Sequence, residues 1–157
     1  MTMGHSAVNS PTINPKTPAE QTASIRTGAW FDPTREAALV TGAGNGIGRA
    51  IAQALVGEGV RTVFADVSQD RIDVAVAAAS RPELAVPWVG DLARRDAYDA
   101  LLAHARSTVG RVTHFVHSAA PARLEADHTL TVTKETWDQM HAVNVDAAFH
   151  LWRERRA

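Results

Sequence analysis

The stretch Thr41-Gly42-Ala43-Gly44-Asn45-Gly46-Ile47-Gly48 constrains this chain more than any other, because it places alternate glycines between an apolar run and an amphipathic one. Glycine costs chain entropy, so such a cluster is kept where backbone must approach something closely. Ala37 to Thr41, just before it, is a short continuous apolar run that reads as a buried strand. Just after it, Ile47, Ala50, Ile51, Ala54 and Leu55 recur at the spacing of one helical face, and Gly57 and Gly59 then stop the helix. A strand, a glycine turn and a helix in that order leave free N–H groups at the positive end of a helix dipole, where a pyrophosphate binds. The alternative is a tight structural turn with no ligand.

The rest of the chain repeats the unit. Val60 to Asp66 predicts a second strand, with Ser68 as N-cap of a helix that buries Ile72, Ala75, Val76 and Ala79. Leu84 to Val89 predicts a third strand, placed at a sheet edge because Pro87 lacks a ladder donor. Tyr98, Leu101, Leu102 and Ala105 mark the next helix, ended by Gly110, and Arg111 to Ser118 a fourth strand. A last helix begins near Thr133 and is expected to run to the end of the chain, with Trp137, Met140, Asn144, Ala147 and Leu151 on one stripe. Short apolar runs alternating with helices predict an α/β fold, a Rossmann-type doubly wound parallel sheet holding its first four strands. The fold class is therefore α/β, with the domain spanning residues 35–157. Residues 1–34, with Pro11, Pro15, Pro18 and Pro33 and no hydrophobic period, read as a disordered leader.

Asp66 ends the second strand roughly 20 residues beyond the loop, where an acid hydrogen-bonds a ribose. Neither Asn45 nor Val67 brings the cation a 2′-phosphate needs, so NAD is expected over NADP. His114 and His117 sit three apart on a strand and point to opposite faces, which argues against a metal site. A net charge of −1 gives no field for nucleic acid, and no apolar run is long enough for a membrane helix. The absence of cysteine excludes disulfides and thiolate zinc, and suits the cytoplasm.

The loop matches T-G-x-x-x-G-x-G and resembles the cofactor signature of the short-chain dehydrogenase/reductase family, and the resemblance runs from Glu36 to about Leu151. It implies that Thr41, Gly42, Asn45, Gly46, Ile47 and Gly48 hold the cofactor. It also implies that Asp91 and Leu92 border the adenine, with Asp91 accepting from its amino group. At the fourth strand end the chain has His117-Ser118-Ala119-Ala120 where the family has Asn-Asn-Ala-Gly, so only Ala119 is kept, and Ser118 and Ala119 are the implied contacts. Asn144, within Trp137…Val143-Asn144, matches the tetrad asparagine that supports a water in the proton relay; a structural asparagine is the other reading. Family chemistry passes hydride between nicotinamide and an alcohol or carbonyl carbon, with a tyrosine and a lysine four residues later handling the proton. Here Tyr98 is the only tyrosine and is followed by Leu102, and Lys16 and Lys134 are the only lysines. The resemblance therefore implies the cofactor half of such an oxidoreductase, ending before Tyr-x-x-x-Lys and inactive alone. A different class of function is a non-catalytic fragment that associates through the last helix with a full-length relative, as homo- or hetero-oligomer.

Overall fold

A computed structural model describes residue 32 and residues 34–121 and 130–155. The leader expected over residues 1–34 lies, Asp32 and Thr34 apart, outside the described residues. Four strands form one sheet: β1 (Ala37–Thr41), β2 (Arg61–Asp66), β3 (Ala85–Val89) and β4 (His114–His117). Their order is β3-β2-β1-β4 and every pair is parallel. Parallel neighbours require crossovers. Helix α1 (Gly46–Gly57) joins β1 to β2, α2 (Gln69–Ala77) joins β2 to β3, and α3 (Asp96–Thr108) joins β3 to β4. Beyond β4, α4 (Lys134–His141) passes through a π-turn (Ala142–Ala147) into α5 (Ala148–Glu154).

The period of two along each strand divides the core between the two faces of the sheet. Ala38, Val40 and Phe64 face Ala52, Leu55 and Val56 of α1 and Ile72 and Ala75 of α2. Leu39, Val63 and Ala65 face Leu101, Leu102 and Ala105 of α3, and Ala147 and Leu151 from the last helical stretch. All of β1 is buried, as a central strand covered on both faces must be. Each fully buried leucine, isoleucine or phenylalanine contributes about 1.5–3 kcal/mol. Pro87 lies on edge strand β3, where its missing N–H costs no ladder bond within the sheet.

Four expectations need correction. The fourth strand is shorter than Arg111 to Ser118, because the Thr113 hydroxyl both donates to and accepts from Ala37 and so replaces a regular ladder step. On α1 the buried face is Gly48, Ala52, Leu55 and Val56. Ile47 is 75% exposed and Ala50 and Ala54 are also exposed. A glycine was the contact that hydropathy could not weigh. The last helix closes at Glu154, capped by Arg155. Its buried residues are Val143, Ala147 and Leu151, spaced by four, whereas Trp137 and Asn144 are exposed. The π-turn widens the helix to i→i+5 and moves the buried stripe off Asn144.

The π-turn has a visible cause. Its first two carbonyls take donors from outside the helix: the Tyr98 hydroxyl donates to Ala142 at 3.0 Å, and His117 Nε2 lies 2.9 Å from the Val143 oxygen. Side chains inserted into the i→i−4 ladder open it in this way.

Candidate functional site

The C-terminal ends of β1, β2 and β4 lie side by side, because Thr41 is in register with both Ala65 and His117. Open α/β sheets bind ligands at that end. A cavity of about 880 Å³ opens there.

Its floor is the glycine loop. Gly42 has φ +68°, a conformation L side chains rarely adopt, and a Cβ there would lie 2.7 Å from the Ser118 backbone. A Cβ on Gly48 would lie 2.3 Å from the Gly42 carbonyl oxygen, so the first turn of α1 rests on the loop backbone. Asn45 caps α1 by accepting from Gly46 N at 2.8 Å. The next N–H groups, of Ile47 and Gly48, have no acceptor within the helix.

Asp66 stands at the side wall with 8% of its side chain exposed. Its Oδ2 accepts from Gly44 N and its Oδ1 from Ser68 N, each at 3.1 Å, and Arg71 pairs with Oδ1 at 3.3 Å. Arg71 is the cation that inspection of Asn45 and Val67 alone did not find. A signal existed: with Ser68 as N-cap, Arg71 falls at the third helical position, whose N–H bonds the cap, so its side chain starts beside the strand end.

Of the expected residues, the cavity brings together Gly42, Asn45, Gly46, Ile47 and Asp66 on one side with Asp91, Leu92, Ser118 and Ala119 on the other. Asp91 Oδ1 accepts from Ala93 N at 2.9 Å, which fixes the turn after β3. Three expected residues do not line it. Gly48 lies beneath the loop. Asn144 is exposed, and its neighbour Val143 lines the cavity instead. Thr41 is fully buried, and its hydroxyl faces Ser118 N at 3.2 Å, Ala119 N at 3.3 Å and His117 Nδ1 at 3.0 Å. Thr41 is thus the support of this wall.

His117 bridges Thr41 and Val143, and burial pushes its pKa below the usual histidine value while the Val143 carbonyl pulls it the other way. Burial raises the Tyr98 pKa, as does the Asp146 carboxylate, and the Tyr98 hydroxyl is committed to Ala142. Among the described residues no group of histidines and carboxylates is placed to hold a metal ion, and no helix is long and apolar enough to cross a membrane.

Known proteins share this arrangement. The short chain dehydrogenase family model matches residues 36–155. A galactitol 2-dehydrogenase (L-tagatose-forming) of Cereibacter sphaeroides is 37% identical over 118 residues, 75% of this chain and 44% of that protein. An NAD-dependent glycerol dehydrogenase of Listeria innocua is 29% identical over 119 residues, 76% of this chain and 45% of that protein. Among solved structures, a short-chain glucose/ribitol dehydrogenase from Brucella melitensis superposes with a TM-score of 0.70 at 26% identity, covering 78% of this chain and 51% of that one. L-sorbose reductase from Gluconobacter frateurii, in complex with NADPH and L-sorbose, gives 0.67 at 26% identity, covering 75% and 45%. The chain spans about half the length of these relatives. A parallel sheet in the order β3-β2-β1-β4, with a glycine turn under its ligand end and a family match across nearly all the described residues, makes this chain a member of the short-chain dehydrogenase family.

Proposed function

We propose that this chain is the dinucleotide-binding half of an oxidoreductase that moves hydride between a nicotinamide cofactor and an alcohol or carbonyl carbon, and that it prefers NAD to NADP. The observation that carries this reading is the contact of Gly48 with the Gly42 carbonyl, which a single Cβ would fill. That contact lets the loop backbone lie close under a ligand and aim the Ile47 and Gly48 N–H groups at a pyrophosphate. Asp66 would accept from ribose hydroxyls, and Asp91 with Leu92 would border the adenine. When bound, the nicotinamide supplies the hydride donor or acceptor. Asn144 is given the support of a water in the proton relay. The absence of cysteine suits a cytoplasmic setting.

The preference for NAD rests on Asp66 and its hold on Arg71. With Asp66 present, a 2′-phosphate meets a carboxylate, and the nearby guanidinium is engaged by that same carboxylate. Asp66→Ala removes the repulsion and frees Arg71. Calorimetric titration of both cofactors is expected to give tighter NAD binding in the parent chain. In Asp66→Ala, NAD should weaken by about tenfold, near 1.4 kcal/mol, while NADP tightens. Equal affinities in the parent chain would remove Asp66 from this role.

A second reading, association with a full-length relative, is favoured by one observation. Trp137, Val145, Phe149 and Trp152 of the last helical stretch are each more than half exposed. Its test is the mass of the purified chain with and without such a relative.

A further inference from the structure

We propose that His117 is a positioning residue: a neutral clasp, carrying its proton on Nε2, that ties the cavity wall to the π-turn and releases it when a second proton is taken up. The inference holds whatever the cavity binds.

The argument is a count of donors. A threonine hydroxyl has one proton to give and two lone pairs. The Thr41 oxygen already faces two backbone donors, Ser118 N at 3.2 Å and Ala119 N at 3.3 Å, the first shared with the Thr41 carbonyl. Its proton therefore goes to His117 Nδ1, 3.0 Å away, which makes Nδ1 the acceptor. The ring proton then sits on Nε2 and donates to the Val143 carbonyl at 2.9 Å. In this tautomer every group is satisfied. A proton added at Nδ1 would point at the Thr41 oxygen, which has no lone pair left, and would place a charge in a partly buried ring.

Among the described residues no charge lies ready to compensate. β1 offers Thr41, β4 offers the Phe115 ring at 6.1 Å, and the last helical stretch offers a carbonyl. The titratable groups of these elements are engaged elsewhere. His114 pairs with Glu36, Lys134 with Asp138, His150 with Asp99 and Arg153 with Glu154, while His141 meets the Trp137 carbonyl and Asp146 acts on Tyr98. Glu135 is exposed in the first turn of α4.

Ser118, Ala119 and Val143 all line the cavity, so the clasp joins two sides of one wall. Burial favours the neutral ring, so as pH falls the unfolded chain takes the proton first. The stabilising contribution is complete above the usual 6.5 and declines below it.

The test uses the full chain. Long-range ¹⁵N–¹H correlation spectra of ¹⁵N-histidine protein at neutral pH should show the His117 ring protonated at Nε2 only, with an apparent pKa below 6.5 on titration. Denaturant unfolding from pH 7.5 downward should show the folded-to-unfolded ratio of the parent chain falling faster than that of His117→Asn below pH 6.5. The excess slope can reach at most about tenfold per pH unit and levels off at the folded pKa. An Nδ1 proton at neutral pH, a pKa at or above 6.5, or parallel pH curves for the two proteins would each overturn the proposal. If His117→Asn does not fold, the spectra of the parent chain decide alone.

Discussion

Gly48→Ala is expected to destabilise the chain by about 2 kcal/mol and to abolish dinucleotide binding. Alanine in a helix interior is normally favoured over glycine by about 1 kcal/mol, so propensity alone predicts a gain. Packing decides the sign. The new methyl carbon would lie 2.3 Å from the Gly42 oxygen and 2.8 Å from its carbon, and both are backbone atoms that cannot rotate away. Overpacking of this kind costs about 1–3 kcal/mol or more, and here it pushes on the loop that would hold the pyrophosphate. Gly46→Ala, also in the cavity lining, is the comparison that carries backbone strain without a clash. A Cβ at Gly46 meets nothing within 4 Å, and its φ of +52° costs only about 1–2 kcal/mol of backbone strain. Denaturant melts and NAD titrations of the three proteins would check this. A Gly48→Ala chain that binds NAD like the parent would remove the cradle from the proposed function.

The second expected result is the absence of hydride transfer by this 157-residue polypeptide on any alcohol or carbonyl substrate, even with NAD bound. Proton transfer by a positioned group is worth about 10²–10⁴ in rate. The one tyrosine is spent on structure, since the Tyr98 hydroxyl donates to Ala142 and does not line the cavity. Lys134 lies on the surface in an ion pair with Asp138. Neither can serve as the acid, and the two are not near each other in sequence as a proton-relay pair requires. An assay of NADH formation across a broad alcohol panel should read at the level of the Gly48→Ala control. Turnover present in the parent and lost in that variant would show that another group carries the proton.

What the sequence made legible follows from how local each signal is. β1 could be bounded at Ala37 and Thr41 because an unbroken apolar run is flanked by Glu36 and Gly42, and a fully buried strand needs no alternation. Thr133 and Ser68 marked helix starts through side chains that bond within one turn. The edge position of β3 followed from one missing N–H at Pro87. Features built by distant partners did not show. The α1 face was misplaced by one residue because its closest contact is made by a glycine, and because Ile47 faces the cavity. Arg71 was overlooked since its relation to Asp66 depends on the geometry of a helix start rather than on adjacency. The exposure of Asn144 depends on a π-turn whose two donors come from α3 and β4, 44 and 26 residues away in sequence from the carbonyls they reach.

That π-turn also sets the phase of everything beyond it. In an α-helix each residue advances about 100° around the axis, so one residue taken up by a wide turn rotates the following segment by about that angle. Phe149 and Trp152 therefore owe their outward orientation to two side chains that belong to other elements. A substitution at Tyr98 or His117 that let the turn relax into regular helix would swing the two aromatic side chains to another direction without altering a single residue of the surface itself. The direction in which these exposed aromatic side chains point is in this sense encoded in the interior of the protein.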